Sequence, residues 1–427
     1  MVNSKWVGDT PARITRAFEQ AKQAAPCVLF IDEIDSFIPS RDGSKNQIAE
    51  SDKIVNVMLT ELVNIRRHRV LVVAATNRQD KLDAAAIREG RFDFKIEVSA
   101  PDEAARIGLL TKGLQKRVVI PLDMEAVHAV AKRWNGFNVK RILAVTEEMP
   151  TYLRTHRASM VGYEELMGAL RQVQGRKGRV PADTKGLNEL VLPEATKTAI
   201  SMVAKRLTDT LRIERLGGSL PSGVLFHGPS GTGKTAVARA LAKETGWAFL
   251  TAAGPDLLRD QDAFEKLYAE GKELRPAIVF IDEADDILRD RSYSQASAIT
   301  NKILTVMDGA GDKVRDVVVI AATNNPDQID PAMLRAGRFT EKVPFFVADA
   351  ASVRVLVLDW LANRKVQLAS GATPEVIAKL LDGLSPANVE GVLQYALNTA
   401  IHLTKEDDAV VLSLDHVATG LSIVAPQ

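Results

Sequence analysis

The most regular feature of this chain is the alternation of short, fully apolar segments with longer stretches in which apolar residues recur at helical spacing. These apolar segments and helical stretches include residues 27–31, 48–64, 70–75, 277–281, 296–307 and 317–322. Strands that are apolar on both faces are typical of a parallel sheet covered by helices on each side. We therefore predict an α/β fold built on parallel sheets.

Each pair of apolar strands is followed by a segment patterned mainly as helices, at residues 102–172 and 350–423. We interpret these segments as small helical lid domains. The stretch GRKGRVPADTKG at 175–186 is rich in glycine, proline and basic residues, as linkers often are. The predicted domains are a first large subdomain at 1–100, its lid at 101–174, a linker at 175–187, a second large subdomain at 188–345 and a second lid at 346–427.

The second half of the chain repeats the first. CVLFIDEIDSF near residue 30 is matched by AIVFIDEADDI near residue 280, and LVVAATNRQDKLDAAAIREGRFD is matched by VVIAATNNPDQIDPAMLRAGRFT. Asp32 and Asp282 are 250 residues apart, while Asn77 and Asn324 are 247 apart. A nearly constant offset over widely spaced motifs indicates two copies of one module that differ by a three-residue change in a loop.

Composition and charge narrow the classes of function. The chain has 427 residues, of which 46% are hydrophobic and 26% charged, with a formal net charge of +1. These fractions exclude global disorder, and the near-neutral charge argues against nucleic acid as a general partner. No apolar stretch approaches the ~18 residues of a membrane span. A single cysteine, Cys27, excludes an internal disulfide, so we expect a cytoplasmic protein. From the near-neutral charge and the short apolar stretches we expect no nucleic-acid or membrane partner.

A phosphate-binding motif stands in the second copy. A short apolar strand runs into GPSGTGKT, and a helical pattern follows that ends at Gly246. Glycines let backbone N–H groups approach a polyphosphate, and the helix N-terminus adds partial positive charge. We expect Lys234 to reach the β- and γ-phosphates of ATP and Thr235 to bind Mg²⁺. The predicted ATP-binding residues of this loop are Gly228, Pro229, Ser230, Gly231, Thr232, Gly233, Lys234 and Thr235.

Polar side chains follow the next two apolar strands of that copy. Asp282 and Glu283 end one strand, and Asn324 ends the other. In a parallel sheet ligands bind at the carboxyl ends of the strands, so these side chains should meet the phosphate loop. We expect Asp282 to hold the Mg²⁺ shell and Glu283 to orient the attacking water. The amide of Asn324 could hold the water or sense the γ-phosphate.

Taken together, these motifs resemble the AAA ATPases, in particular the tandem-module group that includes the valosin-containing-protein-like unfoldases. The resemblance rests on GPSGTGKT, IDEAD, AATNNPD and RAGRF in the second copy, and on SKWVGDT, IDEID, AATNRQD and REGRF in the first. It implies two P-loop-NTPase-type parallel-sheet modules, each followed by a helical lid. It also implies Mg²⁺-dependent hydrolysis of ATP in a ring, expected to be a homohexamer, with ATP held between subunits.

The same resemblance implies roles for residues outside the phosphate loop. Arginines of the RxGRF motif would enter the neighbouring subunit's site, and an aromatic loop would grip polypeptide in the central pore. A turn at the base of the lid would place a small residue near adenine. The matching residues are Arg335 and Arg338 in the second copy, Arg88 and Arg91 in the first, Lys5, Trp6 and Val7 in the pore loop, and Ala387 in the second lid.

The first copy departs from the family pattern because it has no phosphate loop. Asp32, Glu33 and Asn77 therefore lack a lysine and a cradle of N–H groups, and we do not expect this copy to bind ATP in the family's way. Two interpretations remain open. The chain is either a fragment of a longer protein that opens just before SKWVG, or a naturally shortened form with a purely structural first module.

The second copy departs from the pattern in its pore loop. Residues 254–260 contain no aromatic residue. Either Leu257 and Leu258 grip substrate weakly, or this ring powers motion without holding substrate. The leading hypothesis is an ATP-hydrolysing ring motor that remodels or unfolds protein substrates. The alternative is a nucleotide-switched assembly or scaffold factor that does not thread substrate.

Overall fold

The structure is a computed structural model in which the chain forms two compact units, Met1–Ser99 and Ala100–Gln427. The described residues are 10–38, 48–78, 82–83, 91–175, 177–260, 262–285, 287–289, 297–308, 315–335, 337–362, 364, 366–404 and 409–425. Among them, no helix combines the length and the apolar character needed to cross a membrane.

The first unit is a small α/β assembly. Its elements are helix α1 (Thr10–Gln23), strand β1 (Cys27–Ile31), helix α2 (Ile48–Asn64) and strand β2 (Val70–Ala74). The two strands pair in parallel, with Cys27 opposite Val70. Helix α1 buries Ile14, Phe18 and Ala21, which lie on one face because they are spaced by four and three residues. These side chains pack with α2 and with one face of the two-stranded sheet.

The second unit begins with four helices, in the region predicted to be the first lid. They are α3 (Glu103–Gln115), α4 (Met124–Arg133), α5 (Val139–His156) and α6 (Tyr163–Gln174). Polar residues cap the first three of these helices, because the side chains of Asp102, Asp123 and Asn138 accept hydrogen bonds from backbone N–H groups of the first turn. Their apolar faces enclose a core of their own around Trp134, Leu110 and Ile142.

The large subdomain that follows is built on a five-stranded parallel sheet. Its elements are α7 (Glu194–Thr208), α8 (Thr210–Arg215), β3 (Gly223–His227), α9 (Lys234–Thr245), β4 (Ala248–Ala253), α10 (Gly254–Arg259), α11 (Ala263–Glu273), β5 (Ala277–Asp282), α12 (Ser297–Asp308), β6 (Val317–Thr323) and β7 (Phe339–Pro344). The strands lie in the order β4–β5–β6–β3–β7, and every neighbouring pair is parallel.

Both faces of this sheet are covered, which explains why the inner strands β5 and β6 are apolar up to their last residues, Asp282 and Thr323. Residues of α11 and α12 pack on one face, and residues of α7 and α9 pack on the other. Ile278 and Phe280 of β5 point to the second face and are fully buried there. The predicted α/β class with a P-loop-type parallel sheet is therefore confirmed.

The last elements described lie in the region predicted to be the second lid. It contains α13 (Ala350–Ala362), β8 (Gln367–Leu368), α14 (Pro374–Leu380), α15 (Pro386–Leu403), β9 (Val411–Leu412) and α16 (Leu414–Val424). Ser385 caps α15 by accepting a hydrogen bond from the Asn388 N–H. This capping turn is the part of the lid that approaches the phosphate loop.

The sequence did not predict that the first lid would dock on the second large subdomain. Arg133, at the end of α4, is buried and donates from Nε to Asp316 at 2.9 Å and from Nη1 to Glu214 at 2.8 Å. A second, very short hydrogen bond joins Arg133 Nη2 to Asp316. Burial alone would lower the pKa of Arg133, but hydrogen bonding and attraction to Asp316 raise it overall. We call this contact region the lid junction.

Further contacts extend the lid junction along the amino ends of strands β5 and β6. The ring of Phe137 contacts two guanidinium groups, with its centroid 3.9 Å from the Cζ atom of Arg141 and 4.8 Å from that of Arg275. Gln174 Nε2 donates to the carbonyl oxygens of Leu274 and Arg275, just before β5 begins. The first lid and the second large subdomain therefore share a continuous interface within one compact unit.

Candidate nucleotide site

The phosphate loop lies between β3 and α9, where the sequence placed it. Gly231 and Gly233 have φ angles of +75° and +93°, a left-handed conformation that glycine adopts without strain. A Cβ added to Gly228 would lie 2.0 Å from the Phe345 carbonyl oxygen. The loop therefore needs glycine for both its turn and its close packing. These features fit a cradle of backbone N–H groups at a helix N-terminus.

Lys234 occupies the first turn of α9, and its side chain points back into the loop. Its Nζ donates to Asn324 Oδ1 at 2.8 Å, to the Gly228 carbonyl at 2.7 Å and to the Pro229 carbonyl at 2.8 Å. Burial lowers the pKa of Lys234, while the charges of Asp282 and Asp285 act in the opposite direction. The structure thus joins the lysine of the loop directly to the amide at the end of β6.

The acidic residues lie at the end of β5, next to the loop. Thr235 Oγ1 donates to Asp282 Oδ2 at 2.7 Å, so the two predicted Mg²⁺ ligands are in contact. Glu283 follows with φ of +50°, which is unusual for a residue with a side chain. Its N–H donates to Asp282 Oδ1 at 3.1 Å, and its side chain is exposed. Such local strain is often found at functional sites.

Asp285 is a residue that the sequence reasoning missed. Its Oδ1 accepts hydrogen bonds from Thr323 Oγ1 at 2.7 Å, from the Asn324 N–H at 3.0 Å and from the Asn325 N–H at 2.9 Å. It therefore fixes the chain at the end of β6, where Asn324 meets Lys234. The signal was present in the sequence as the last acid of IDEAD, which the first copy repeats in IDEID as Asp35. There Thr76 Oγ1 donates to Asp35 Oδ1 at 2.7 Å.

A cleft of about 430 Å³ opens beside the loop. Residues of the segment before α7, the start of α9 and the second lid line it, including Val191, Trp360 and Ala387. The Ala387 N–H donates to the Gly231 carbonyl at 3.2 Å, and a Cβ on Gly231 would lie 2.7 Å from Ser385 Oγ. The predicted lid residue Ala387 therefore lies against the phosphate loop. An apolar cleft next to a phosphate cradle suits a nucleotide with a flat base.

The two RxGRF arginines of the second copy have different surroundings. Arg338 donates from Nε to Asp308 Oδ1 at 2.7 Å and from Nη2 to Asp308 Oδ2 at 2.5 Å, and from Nη1 to the Ala332 carbonyl at 2.5 Å. This pairing raises the pKa of Arg338 and lowers that of Asp308. Arg335 is exposed, and within the described part of the chain its side chain makes no hydrogen bond or ion pair. Of these two arginines, Arg335 is the one whose described surroundings leave its side chain open to contacts outside the chain.

The donor set fits a magnesium ion bound together with a polyphosphate. Mg²⁺ keeps several waters and takes few protein ligands, usually a carboxylate and a hydroxyl beside the phosphates. Thr235 and Asp282 supply that pair. No cluster of three or more histidine, cysteine or acidic side chains suited to a metal occurs in the described ranges, so a dense protein cage for a metal is absent from those ranges.

The first unit repeats the acidic half of this arrangement. Glu33 has φ of +49°, and its N–H donates to Asp32 Oδ1 at 3.0 Å, closely matching Glu283 and Asp282. Asn77 follows β2 and is exposed. Arg91 lies just before a segment without regular secondary structure that ends the unit, and Arg88 falls outside the described residues.

The pore-loop predictions have different outcomes. Lys5, Trp6 and Val7 lie outside the described residues. In the second copy Gly254–Arg259 forms helix α10, whose Leu257 is buried in the core. The suggestion that Leu257 grips substrate is therefore wrong, because its side chain packs inward from the helix. Leu258 is exposed.

Comparison with known proteins agrees with this geometry. Residues 1–100 and 224–347 match the profile of the family described as "ATPase family associated with various cellular activities (AAA)". The chain is 31% identical over 449 residues to ATPase family gene 2 protein of Saccharomyces cerevisiae, covering 99% of this chain and 57% of that protein. It is 29% identical over 459 residues to Protein CdcH of Halobacterium salinarum, covering 99% of this chain and 60% of that protein.

The chain therefore spans less than two thirds of the length of either relative. The family profile covers both copies of the acidic strand and most of the second large subdomain, which contains the phosphate loop. With the phosphate loop, the acidic strand end and the asparagine brought together as described, the match leads to one conclusion: this chain belongs to the AAA family of ATPases.

Proposed function

We propose that the second module hydrolyses ATP with Mg²⁺ at the seam between subunits of a ring, expected to be a homohexamer, and that the ring remodels or unfolds protein substrates in a reducing compartment such as the cytoplasm. The observation that carries the proposal is the joining of three strand ends. Lys234 follows β3, Asp282 ends β5 and Asn324 follows β6, and hydrogen bonds link lysine to asparagine and Thr235 to Asp282.

Each of these residues has a task that its position supports. The loop N–H groups and Lys234 bind the phosphates, and Lys234 holds the Asn324 amide in place until a γ-phosphate competes for its Nζ. The exposed carboxylate of Glu283 accepts a proton from the attacking water and orients it. Thr235 and Asp282 would hold Mg²⁺, which neutralises the developing charge on the phosphates when bound.

Arg335 completes the site of the neighbouring subunit in this proposal. An arginine supplied in trans can raise turnover by about 10³–10⁵. The exposure of Arg335 and the pairing of Arg338 with Asp308 support a division of labour, in which Arg338 holds the turn and Arg335 reaches across. Binding and release of nucleotide would move the second lid, because the lid contacts the loop through Ala387 and Gly231.

The substrate role rests on Lys5, Trp6 and Val7, which match the family's pore loop. Trp6→Ala should abolish unfolding of a tagged test protein and leave ATP hydrolysis intact. If unfolding continues at the wild-type rate, threading past this loop is wrong. The scaffold alternative then predicts that binding of a partner protein changes with the bound nucleotide and does not require threading, which a binding assay with ATP and with ADP would measure.

The chemistry is tested with Glu283→Gln. This change should preserve ATP affinity and lower kcat by at least about 100-fold, because the amide cannot accept the proton. The matched control is Glu33→Gln in the first unit, which has the same backbone geometry without a phosphate loop and should leave kcat unchanged. Undiminished hydrolysis by Glu283→Gln would remove that residue from its role.

Completion in trans is tested by mixing two inactive variants. Arg335→Ala subunits keep their own phosphate loop, whereas Lys234→Ala subunits keep their arginine. Mixed rings should recover part of the activity, because some sites then combine an intact loop with an intact arginine. The absence of recovery at every mixing ratio would contradict a shared site.

A further inference from the structure

Helix α9 has a partner at the end that lies away from the phosphate loop. The helix begins with Lys234 and ends at Thr245, and Gly246 follows it with φ of +62°. Arg171 of α6 donates from Nη2 to the Thr245 carbonyl oxygen at 3.0 Å. The last carbonyl groups of a helix have no partner within the helix and carry partial negative charge, so a guanidinium group suits this position.

Gly246 allows the guanidinium group to lie against the helix end. A Cβ added to Gly246 would lie 2.5 Å from Arg171 Nη1 and 2.8 Å from Arg171 Cζ. Any other residue at this position would therefore displace the guanidinium group from the Thr245 carbonyl. The glycine serves both the left-handed turn that ends α9 and the close approach of Arg171.

Arg171 is itself held in place by the helix that carries it. Leu166 and Leu170 of α6 are fully buried in the apolar core around Trp134. Arg171 and Gln174 are three residues apart and therefore lie on one face of α6. Gln174 donates to the two carbonyl oxygens just before β5. The guanidinium group therefore extends from a helix that is fixed on one side by a core and on the other by the start of the sheet.

The far end of α9 affects the nucleotide site because the helix is short and continuous. Its 12 residues span about 18 Å, and Lys234 stands at the other end. Val237 and Leu241 bury α9 against the sheet, but apolar packing is non-directional. The hydrogen bond from Arg171 adds a directional contact along the axis of the helix. A shift of α9 along that axis would move Lys234 and the loop N–H groups relative to the phosphates.

We propose that Arg171 is a positioning residue for the nucleotide site. It fixes α9 along its axis and so sets where Lys234 and the loop N–H groups meet the phosphates. The inference rests on the proposed function, because the site that Arg171 positions is the proposed ATP site. Coupling between two contacts is reciprocal, so binding of nucleotide at the start of α9 also strengthens the contact between α6 and the end of α9.

The test compares ATP hydrolysis by the full chain and by two variants of Arg171. Arg171→Met removes the charge and the hydrogen-bond donors but keeps a long side chain. The loop binds the phosphates of bound ATP and of the transition state alike, so KM for ATP should rise by about 3- to 10-fold while kcat stays within about twofold. Arg171→Lys keeps a charged donor, and its KM should stay within about twofold of the wild-type value.

Arg141→Met is the matched control. Arg141 also belongs to the lid junction, but its partner is Glu273 of α11, at 3.3 Å, and α11 carries none of the predicted site residues. Arg141→Met should leave KM unchanged, even where it lowers the free energy of unfolding. An unchanged KM in Arg171→Met, or an equal rise in KM in both methionine variants, would overturn the proposal.

A second measurement needs no substitution, so it decides the question even if Arg171→Met fails to fold. Backbone hydrogen exchange is recorded with and without ADP and Mg²⁺. Nucleotide should slow exchange in α9 and also in α6, because the two contacts are coupled. Slower exchange in α9 alone would overturn this inference and leave the proposed function standing. Unchanged exchange in both helices would contradict nucleotide binding itself, and both proposals with it.

Discussion

Replacing Asp285 with alanine tests whether the end of β6 is held in place for catalysis. The carboxylate accepts hydrogen bonds from the backbone N–H groups of Asn324 and Asn325 and from Thr323 Oγ1. A hydrogen bond to a charged group is worth about 1.5–3 kcal/mol, and neighbouring bonds are not additive. Asn325 Nδ2 also donates to this carboxylate, at 3.2 Å. Losing these bonds together should destabilise the turn by about 2–4 kcal/mol.

Part of this lost stabilisation should lower the rate of ATP hydrolysis, because Asn324 accepts the hydrogen bond that positions Lys234. If the transition state loses about 1.4–2.7 kcal/mol, kcat falls by about 10- to 100-fold. The assay is steady-state ATP hydrolysis, with nucleotide affinity measured separately. Asp35→Ala is the matched control, because Asp35 makes the equivalent bond to Thr76 in the first unit. Wild-type kcat in Asp285→Ala would refute the reasoning.

The remaining predictions concern the arginines. Arg335→Ala should lower kcat and change the free energy of unfolding by less than about 0.5 kcal/mol. Arg338→Ala should lower both kcat and the free energy of unfolding. Equal effects of the two substitutions on stability would contradict the division of labour. Because Arg338 holds the pKa of Asp308 below 3.8, the pair should persist above about pH 4 and be lost as pH falls through the lowered value; Arg338→Ala should move that pKa upward in an NMR titration. Arg133→Met should destabilise the second unit by about 3–5 kcal/mol in denaturant unfolding, because it leaves Asp316 buried and unpaired, and Arg117→Met, at a partly exposed pair, by about 1 kcal/mol or less.

The elements that the sequence predicted best are those in which residue type is dictated by local geometry. The phosphate loop was recognisable because only glycine tolerates the conformation of Gly231 and Gly233 beside a lysine at the start of a helix. The parallel sheet was recognisable because strands buried on both faces are made almost wholly of apolar residues, as in 277–281 and 317–322. Repetition of both strand ends reinforced this prediction.

The contacts that the sequence did not reveal depend on residues far apart in the chain. Arg133 and Asp316 are separated by 183 positions, and no periodicity marks an arginine that will be buried at an interface. Arg335 and Arg338 look equivalent in RAGRF, and only the approach of Asp308 distinguishes them. Leu257 resembled a pore-loop residue because the stretch was matched by position, whereas its burial depends on how α10 packs.

The lid junction determines where this protein can be cut into parts. A fragment that starts at residue 188 follows the boundary suggested by the linker, yet it loses the guanidinium that neutralises Asp316 and leaves Arg275 without the Asn135 carbonyl that it contacts. A fragment that starts at residue 100 retains both. We therefore expect the shortest soluble fragment with ATPase activity to include helices α3–α6 as well as the second large subdomain. Fragments cut at the linker should aggregate.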